Sequence, residues 1–210
     1  ILIKSSGIDS SIYDIEKVDK INIENLKIEL GIKNQIVVLM VARAIWDKGI
    51  REYYEACKML ESKYKDVRFL YVGDTDEGNL SCANKEFLSS GNIQWLGQRN
   101  DILALTALSD IYVLPSYREG VPRTLLEAAS MSKPIVTTNA IGCKEVVDDG
   151  INGFLVKVKD SKSLSLGIEK LILDENLRHT MGKNGRIKVL KEFDVNIVVN
   201  KYMDVYEKII

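Results

Sequence analysis

Residues 36–42 read Ile-Val-Val-Leu-Met-Val-Ala, an uninterrupted apolar run that decides the fold class. The run is far too short to cross a bilayer, which takes about 20 apolar residues. It has the length of a central strand in a parallel sheet, where both faces of the strand are covered. The segment that follows carries apolar residues at the spacing of one helix face, namely Ile50, Tyr53, Tyr54, Cys57 and Leu60. Strand and helix together predict a first β/α unit with the two tyrosines in the core.

The same alternation of short apolar runs and helical periods continues along the chain. Strands are predicted at Ile36–Ala42, Arg68–Val72, Ile93–Leu96, Ile111–Leu114, Pro134–Thr138 and Phe154–Val156. This pattern predicts an α/β fold, a Rossmann-like, doubly wound parallel sheet of about six strands flanked by helices. Helices are predicted over 163–173, 176–190 and 196–210. We expect residues 1–10 to end a preceding strand or linker, 11–190 to form one ligand-binding domain, and 191–210 to form a C-terminal helix.

The charge balance and the cysteine content of the chain limit the classes of molecule that it could bind. The chain has 29 basic and 30 acidic residues and a net charge of −1, so it offers no general field for nucleic acid or for an anionic membrane. Its three cysteines, Cys57, Cys82 and Cys143, lack the close pairs of zinc or redox motifs. This favours a reduced, cytoplasmic setting. No signal peptide is recognisable, and the chain does not begin with Met, so we expect a piece of a longer protein.

The stretch Glu119-Gly-Val-Pro-Arg-Thr-Leu-Leu-Glu127 places two carboxylates in E-x7-E spacing. Pro122 suits the first turn of a helix, which puts Glu119 in the preceding loop. Free N–H groups at such a helix end bind phosphate, and the candidates are Val121, Arg123 and Thr124. Glu127 falls in an apolar run and needs a hydrogen-bonding partner if buried, which a ribose diol would supply. The alternative is that Glu127 is solvated and Glu119 is an ordinary loop acid.

Two cations follow the first predicted strand, Arg43 and Lys48 in Arg-Ala-Ile-Trp-Asp-Lys-Gly. The carboxyl ends of strands are where open α/β sheets bind ligands. An Arg fork and a mobile Lys charge together suit a diphosphate and could neutralise it without a metal ion. The alternative is a pair of exposed cations around a turn.

Four motifs in register resemble the C-terminal half of family 4 glycosyltransferases of the GT-B fold. They are V-A-R-x4-K-G from Val41, L-G-x-R-x-D-I over 96–102, L-P-S-Y-x-E-G-x-P-x4-E from Leu114, and G-x2-E-V-V-x2-G-x2-G-x-L-V over 142–156. The resemblance covers nearly the whole chain. The segments Ala-Arg-Ala-Ile-Trp-Asp-Lys-Gly, Ser81-Cys-Ala and Leu114-Pro-Ser-Tyr-Arg-Glu-Gly are most similar to bacterial enzymes that add α-linked N-acetylgalactosamine to a diphosphoundecaprenyl-linked sugar.

The resemblance implies roles for single residues. Arg43 and Lys48 would grip the donor diphosphate and Glu119 the donor sugar, as the catalytic set, while Glu127 would hold the ribose. Amides after Glu119 would meet the distal phosphate, and base contacts would come from Gln98 and Arg99. The remaining donor-binding positions are Gly120, Val121, Arg123 and Thr124.

The resemblance also implies a reaction. It is the retaining, metal-independent and cofactor-independent transfer of a hexosyl or N-acetylhexosaminyl group from a UDP-sugar in bacterial surface-polysaccharide or glycan assembly. The glycan or lipid-linked acceptor would bind an N-terminal domain, the full-length enzyme could associate peripherally with the cytoplasmic face of the inner membrane, and this piece alone would be inactive.

Several features leave alternatives open. Val121, Arg123 and the pair Gly142-Cys143 depart from the family pattern, which leaves the sugar unspecified. A nucleotide-sugar epimerase of the same fold, a phosphorylase with pyridoxal phosphate, and a non-catalytic nucleotide-sugar-binding module remain competitors. Asp74-Thr-Asp76 imitates a metal-binding motif, but turn acids are the simpler interpretation. His179, the single histidine, lies far in sequence from every motif.

Overall fold

The six predicted apolar runs form one parallel sheet in the computed structural model, which describes residues 6–76, 78–91 and 93–208. The strands, in the order of the chain, are β1 (Ile36–Val41), β2 (Val67–Val72), β3 (Gln94–Trp95), β4 (Ile111–Leu114), β5 (Ile135–Thr138) and β6 (Gly153–Val156). Their order across the sheet is β3-β2-β1-β4-β5-β6, and every neighbouring pair is parallel. The predicted Rossmann-like fold is confirmed.

Helices connect and cover the strands. They are α1 (Lys20–Leu30), α2 (Ile50–Glu61), α3 (Lys85–Leu88), α4 (Ile102–Leu108), α5 (Arg123–Ser130), α6 (Cys143–Val146), α7 (Ser161–Leu173), α8 (Glu175–Glu192) and α9 (Val195–Tyr206). All five predicted apolar positions of α2 are buried. The hydroxyl of Tyr53 lies 3.0 Å from the Val38 carbonyl oxygen and 2.9 Å from that of Leu70, so it links α2 to two strands.

The strand order reverses between β1 and β4. From β1 the chain builds outward through β2 to β3, and it then returns to place β4 against the other side of β1. Connections leaving β1 and β4 therefore diverge, and a crevice opens outside the carboxyl ends of these strands, where open α/β sheets bind ligands. Arg43 follows β1 and Glu119 follows β4, so the topology brings the two predicted site segments to one crevice.

The start of the described chain meets the junction between α8 and α9. The Ile8 N–H donates to the Phe193 carbonyl at 2.9 Å, and the Val195 N–H donates to the Ile8 carbonyl at 2.9 Å. The predicted domain limit at 190 falls just before the end of α8. On α9, Val198 is buried and Tyr206 is exposed. Residues 1–5 and 209–210 of the predicted terminal segments lie outside the described residues, so their assignment stays a prediction.

Candidate functional site

Lys48 is carried by a short turn that packs directly on the loop after β4. This turn, Trp46–Lys48, is a single 3-10 turn and ends at Gly49, whose φ is +74°. A Cβ at Gly49 would stand 2.1 Å from the Pro115 carbonyl oxygen. Only glycine tolerates both the positive φ and so close a backbone approach. The Lys-Gly pair of the first motif therefore places a lysine against the β4–α5 loop.

Lys48 and Glu119, predicted separately to be site residues, form an ion pair. The Lys48 Nζ lies 2.5 Å from Glu119 Oε1, and only 19% of the lysine and 14% of the glutamate side chain are exposed. Such shielding makes the attraction stronger than between open surface charges. The structure thus joins the cation after β1 to the acid after β4 in the crevice.

The start of the fourth sequence motif packs against the backbone of Glu119 and Gly120. Gly142 has a φ of +85°, and a Cβ there would stand 1.8 Å from the Gly120 carbonyl oxygen. The Glu119 N–H donates to the Ile141 carbonyl at 3.1 Å. Cys143, which departs from the family pattern, is buried as the first residue of α6 and does not disturb this contact.

The N-terminus of α5 faces the same crevice. Pro122, with φ −69°, is the N-cap just before α5 and not a residue of its first turn as predicted. The Leu125 N–H donates back to the Pro122 carbonyl at 3.1 Å. Among the hydrogen bonds of the described residues, none is donated by the backbone N–H groups of Val121, Arg123 or Thr124. These groups remain available to an anion, together with the positive end of the helix dipole.

Two adjoining hollows make up the crevice, and Arg43 and Thr124 line both. The smaller, of about 170 Å³, is bounded by Lys48, Glu119 and Pro122. The larger, of about 420 Å³, extends toward β2 and is bounded by Gln98 and Arg99. The residues predicted to bind the diphosphate, the sugar and the base therefore line two adjoining hollows, whereas Glu127, predicted to bind the ribose, lines neither.

Glu127 is buried on α5, as its apolar neighbours require, but the chain itself supplies partners. The Arg123 Nε lies 3.1 Å from Glu127 Oε1. Tyr13 lies beside the same carboxylate, and burial together with the negative charge of Glu127 raises the pKa of the Tyr13 phenol. The spacing of Arg123 four residues before Glu127 is a sequence signal for this pairing. No sequence spacing indicates the contact between Tyr13 and Glu127, because the two residues are far apart in the chain.

Arg43 is largely exposed and is held by the neighbouring loop. Its Nη1 lies 2.9 Å from Asp76 Oδ2, and the Asn79 Nδ2 donates to the same oxygen at 3.2 Å. Asp76 therefore pairs with a cation. No group of three or more potential metal-ligating side chains occurs within the described ranges. His179 is exposed on α8, where its Nε2 lies 3.6 Å from Glu175 Oε1.

Arg99, predicted as a base contact, is engaged by two carboxylates. Its Nη2 lies 2.6 Å from Asp101 Oδ2 and its Nη1 lies 2.7 Å from Glu29 Oε1. The guanidinium holds the pKa of Asp101 below its usual value. Gln98 is exposed at the edge of the larger hollow.

Comparison with known proteins supports a single family. The family model described as "Glycosyl transferases group 1" matches residues 22–188. The N,N'-diacetylbacillosaminyl-diphospho-undecaprenol alpha-1,3-N-acetylgalactosaminyltransferase of Campylobacter jejuni is 41% identical over 214 residues, covering 100% of this chain and 54% of the relative. The chain therefore spans about half the length of this relative.

Solved structures agree. A glycosyltransferase from Rickettsia africae superposes with a TM-score of 0.87 at 25% identity, covering 100% of this chain and 57% of the other. Anabaena HepE in complex with UDP-glucose superposes with a TM-score of 0.84 at 27% identity, covering 96% and 56%. Among the helices described here, none combines the length and apolar character needed to span a bilayer.

Proposed function

Because this chain belongs to the group 1 glycosyl transferases, we propose that it is the donor-binding domain of a retaining, metal-independent enzyme that uses a UDP-sugar. The observation that carries the proposal is the meeting of the Lys48–Glu119 pair with the N-terminus of α5 in one crevice. A cation, a set of free amides and a hydroxyl-binding acid are the groups that a sugar diphosphate requires.

The diphosphate would lie between Arg43, Lys48 and the amides at the start of α5. As the bond from the sugar to the phosphate breaks, negative charge grows on the departing nucleoside diphosphate. Fixed cations and amides that stabilise this charge in the transition state lower the barrier. Two side-chain cations and a helix end supply the positive charge that a metal ion supplies elsewhere, which supports a metal-independent reaction.

The two acids would orient the neutral parts of the donor. Ionised carboxylates only accept hydrogen bonds, so they pair well with the hydroxyls of a sugar or ribose. Glu119, which lines the smaller hollow, would bind the transferred sugar. Glu127 would bind the ribose by exchanging part of its contact with Arg123, whose side chain is 72% exposed.

Two relatives support a choice of substrates. Anabaena HepE was solved with UDP-glucose, and the C. jejuni relative is named for transfer of N-acetylgalactosamine to a diphospho-undecaprenol-linked sugar. We therefore place a UDP-N-acetylhexosamine on this domain and a lipid-linked or glycan acceptor on a further domain of the enzyme, with peripheral membrane association through that acceptor.

Calorimetric titration of the chain with UDP, GDP, ADP and UDP-N-acetylgalactosamine, in the presence of EDTA, tests the proposal. We expect selective binding of UDP and its sugar, weakened by about tenfold or more in Arg43→Ala and in Glu127→Ala. Glu175→Ala, which removes an exposed helical glutamate with an i,i+4 partner on α8, is the matched control and should bind as the wild type does. Failure of folded wild-type protein to bind any of the nucleotides would contradict the proposal.

A further inference from the structure

Tyr117 lies in the β4–α5 loop two residues before Glu119, and its backbone is tied to the turn that carries Lys48. The Tyr117 N–H donates to the Asp47 carbonyl at 2.8 Å. The Ser116 Oγ donates to the same carbonyl at 3.1 Å. Asp47 immediately precedes Lys48, so these bonds join the two loops next to the ion pair.

The side chain of Tyr117 continues this connection into α2. Its hydroxyl lies 2.8 Å from Glu52 Oε1 and 2.9 Å from Glu52 Oε2. Glu52 is only 7% exposed, and a buried carboxylate is costly unless hydrogen-bonded. Burial and the bond to Glu52 raise the pKa of Tyr117, so the hydroxyl keeps its proton and donates.

A third element holds the ring. The Nζ of Lys159, in the β6–α7 loop, lies 4.8 Å from the centre of the Tyr117 ring, which is within the range of a cation–π contact. Tyr117 is thereby restrained by the turn before α2, by α2 itself and by the loop after β6. Glu119, close by in the same short loop, is carried by the restrained backbone.

We propose that Tyr117 and Glu52 are positioning residues that act as a latch: their hydrogen bond fixes the loop bearing Glu119 so that the carboxylate is aimed at the donor sugar. Neither residue lines the hollow that holds Lys48 and Glu119, although Tyr117 borders a further hollow of about 680 Å³ together with Glu119 and Gly120. Because the Tyr117 hydroxyl is bonded to Glu52, the latch acts through the position of Glu119. This inference rests on the proposed function. Its physical basis is that a binding group must be held by its surroundings to within a fraction of an ångström, and a free loop cannot do this.

The latch is tested by comparing the affinity of the chain for UDP with its affinity for UDP-sugars, since the difference is the contribution of the sugar. Dissociation constants of the chain are measured for UDP and for UDP-glucose, UDP-galactose and UDP-N-acetylgalactosamine. We expect at least one sugar to change the affinity relative to UDP. We also expect Tyr117→Phe to abolish that difference, while its affinity for UDP itself falls by less than about threefold.

Conservative variants separate positioning from stability. Glu52→Gln keeps an amide oxygen as acceptor for the Tyr117 hydroxyl and should preserve the sugar effect, whereas Glu52→Leu should lose it. If Tyr117→Phe alone unfolds, the double variant Tyr117→Phe with Glu52→Leu removes the stranded charge and should still lack the sugar effect. Tyr64→Phe is the matched control, because the Tyr64 hydroxyl, in the turn after α2, lies 2.9 Å from Glu169 Oε1 on α7, outside the crevice.

The outcomes distinguish the two proposals. A wild-type chain that binds no uridine nucleotide refutes donor binding and the latch together. A wild-type chain that binds UDP but shows no effect of any sugar leaves Glu119 nothing to orient and refutes the latch alone. A sugar effect that survives in Tyr117→Phe to the same extent as in Tyr64→Phe also refutes the latch, while donor binding stands.

Discussion

Gly49 lies so close to Pro115 that a Cβ on Gly49 would stand 2.1 Å from the Pro115 carbonyl oxygen. This contact connects the turn after β1 to the loop after β4 through backbone alone. The lysine before Gly49 and the glutamate shortly after Pro115 are consequently held at ion-pair distance. Gly49 thus sets the geometry of the Lys48–Glu119 ion pair without contacting either charge.

We expect Gly49→Ala to lower the free energy of unfolding by about 3 kcal/mol or more, because it combines strain at positive φ with a clash against backbone. Thermal and denaturant unfolding measure this loss. Gly31→Ala is the matched control, since Gly31 also has a positive φ, +66°, but a Cβ there would meet nothing within 4 Å. That variant should lose only about 1 kcal/mol. Equal losses of unfolding free energy in Gly49→Ala and Gly31→Ala would show that the clash with Pro115 adds nothing to the strain at positive φ.

The Lys48–Glu119 pair predicts opposite effects of two substitutions on nucleotide binding. Glu119→Gln removes a negative charge beside the proposed diphosphate position and frees Lys48, so UDP should bind as tightly as to the wild type or up to about tenfold more tightly. Lys48→Met should weaken UDP by about tenfold or more. Calorimetry of both variants measures these changes. A loss of UDP affinity in folded Glu119→Gln would show that the acid contacts the diphosphate side of the ligand.

Lys133 predicts a rise in stability at alkaline pH. Burial lowers the pKa of its ammonium group to about 8, although the charge of Asp110 opposes the shift. Between pH values of about 8 and 10.5 the unfolded chain keeps this proton and the folded chain does not, so raising the pH favours folding. Relative to Lys133→Met, the wild type should gain about 1–3 kcal/mol of unfolding free energy across this interval.

Denaturant unfolding at a series of pH values measures the Lys133 effect. Lys58→Met, which removes an exposed lysine of α2, should follow the wild-type curve. Parallel curves for the wild type and Lys133→Met would contradict the prediction.

Arg186, on α8, links the start of the described chain to α5. Its Nη1 lies 2.7 Å from the Tyr13 carbonyl oxygen and 2.9 Å from that of Ser130, and its Nη2 lies 3.1 Å from Asp14 Oδ2. We expect Arg186→Met to cost about 3 kcal/mol of stability, because an ion pair and several partly buried acceptors lose their donor. Arg186→Lys should recover less than half, because one ammonium cannot reproduce the planar fork.

The Arg186 variants also test the setting of Glu127. Tyr13 lies beside Glu127, so the variants should bind UDP more weakly even under conditions in which they are fully folded. Arg68→Met is the control, because Arg68 donates a bond of 3.3 Å to the Gly31 carbonyl, away from Tyr13 and Glu127. Unchanged UDP binding in folded Arg186→Met would show that Glu127 does not depend on this network.

Local patterns predicted most elements because they depend on near neighbours. The α2 stripe was predicted from helical spacing and the strand at Ile111–Leu114 from a short apolar run, and both occur as expected. Pro122 was placed one position too far into α5, since its fixed φ suits the N-cap and the first turn alike. Partners of buried polar groups escaped prediction, because Tyr13 meets Glu127, and Tyr117 meets Glu52, only after the chain has folded.

The sequence by itself determined the β/α alternation and the residue types of the candidate site, since these depend on periodicity and on local motifs. Tertiary structure alone decided that β1 and β4 are neighbours at the reversal of strand order, and hence that Lys48 pairs with Glu119. The physical reason is that the strand order depends on how helices and strands pack against one another across the whole domain. A short stretch of residues carries no information about that packing.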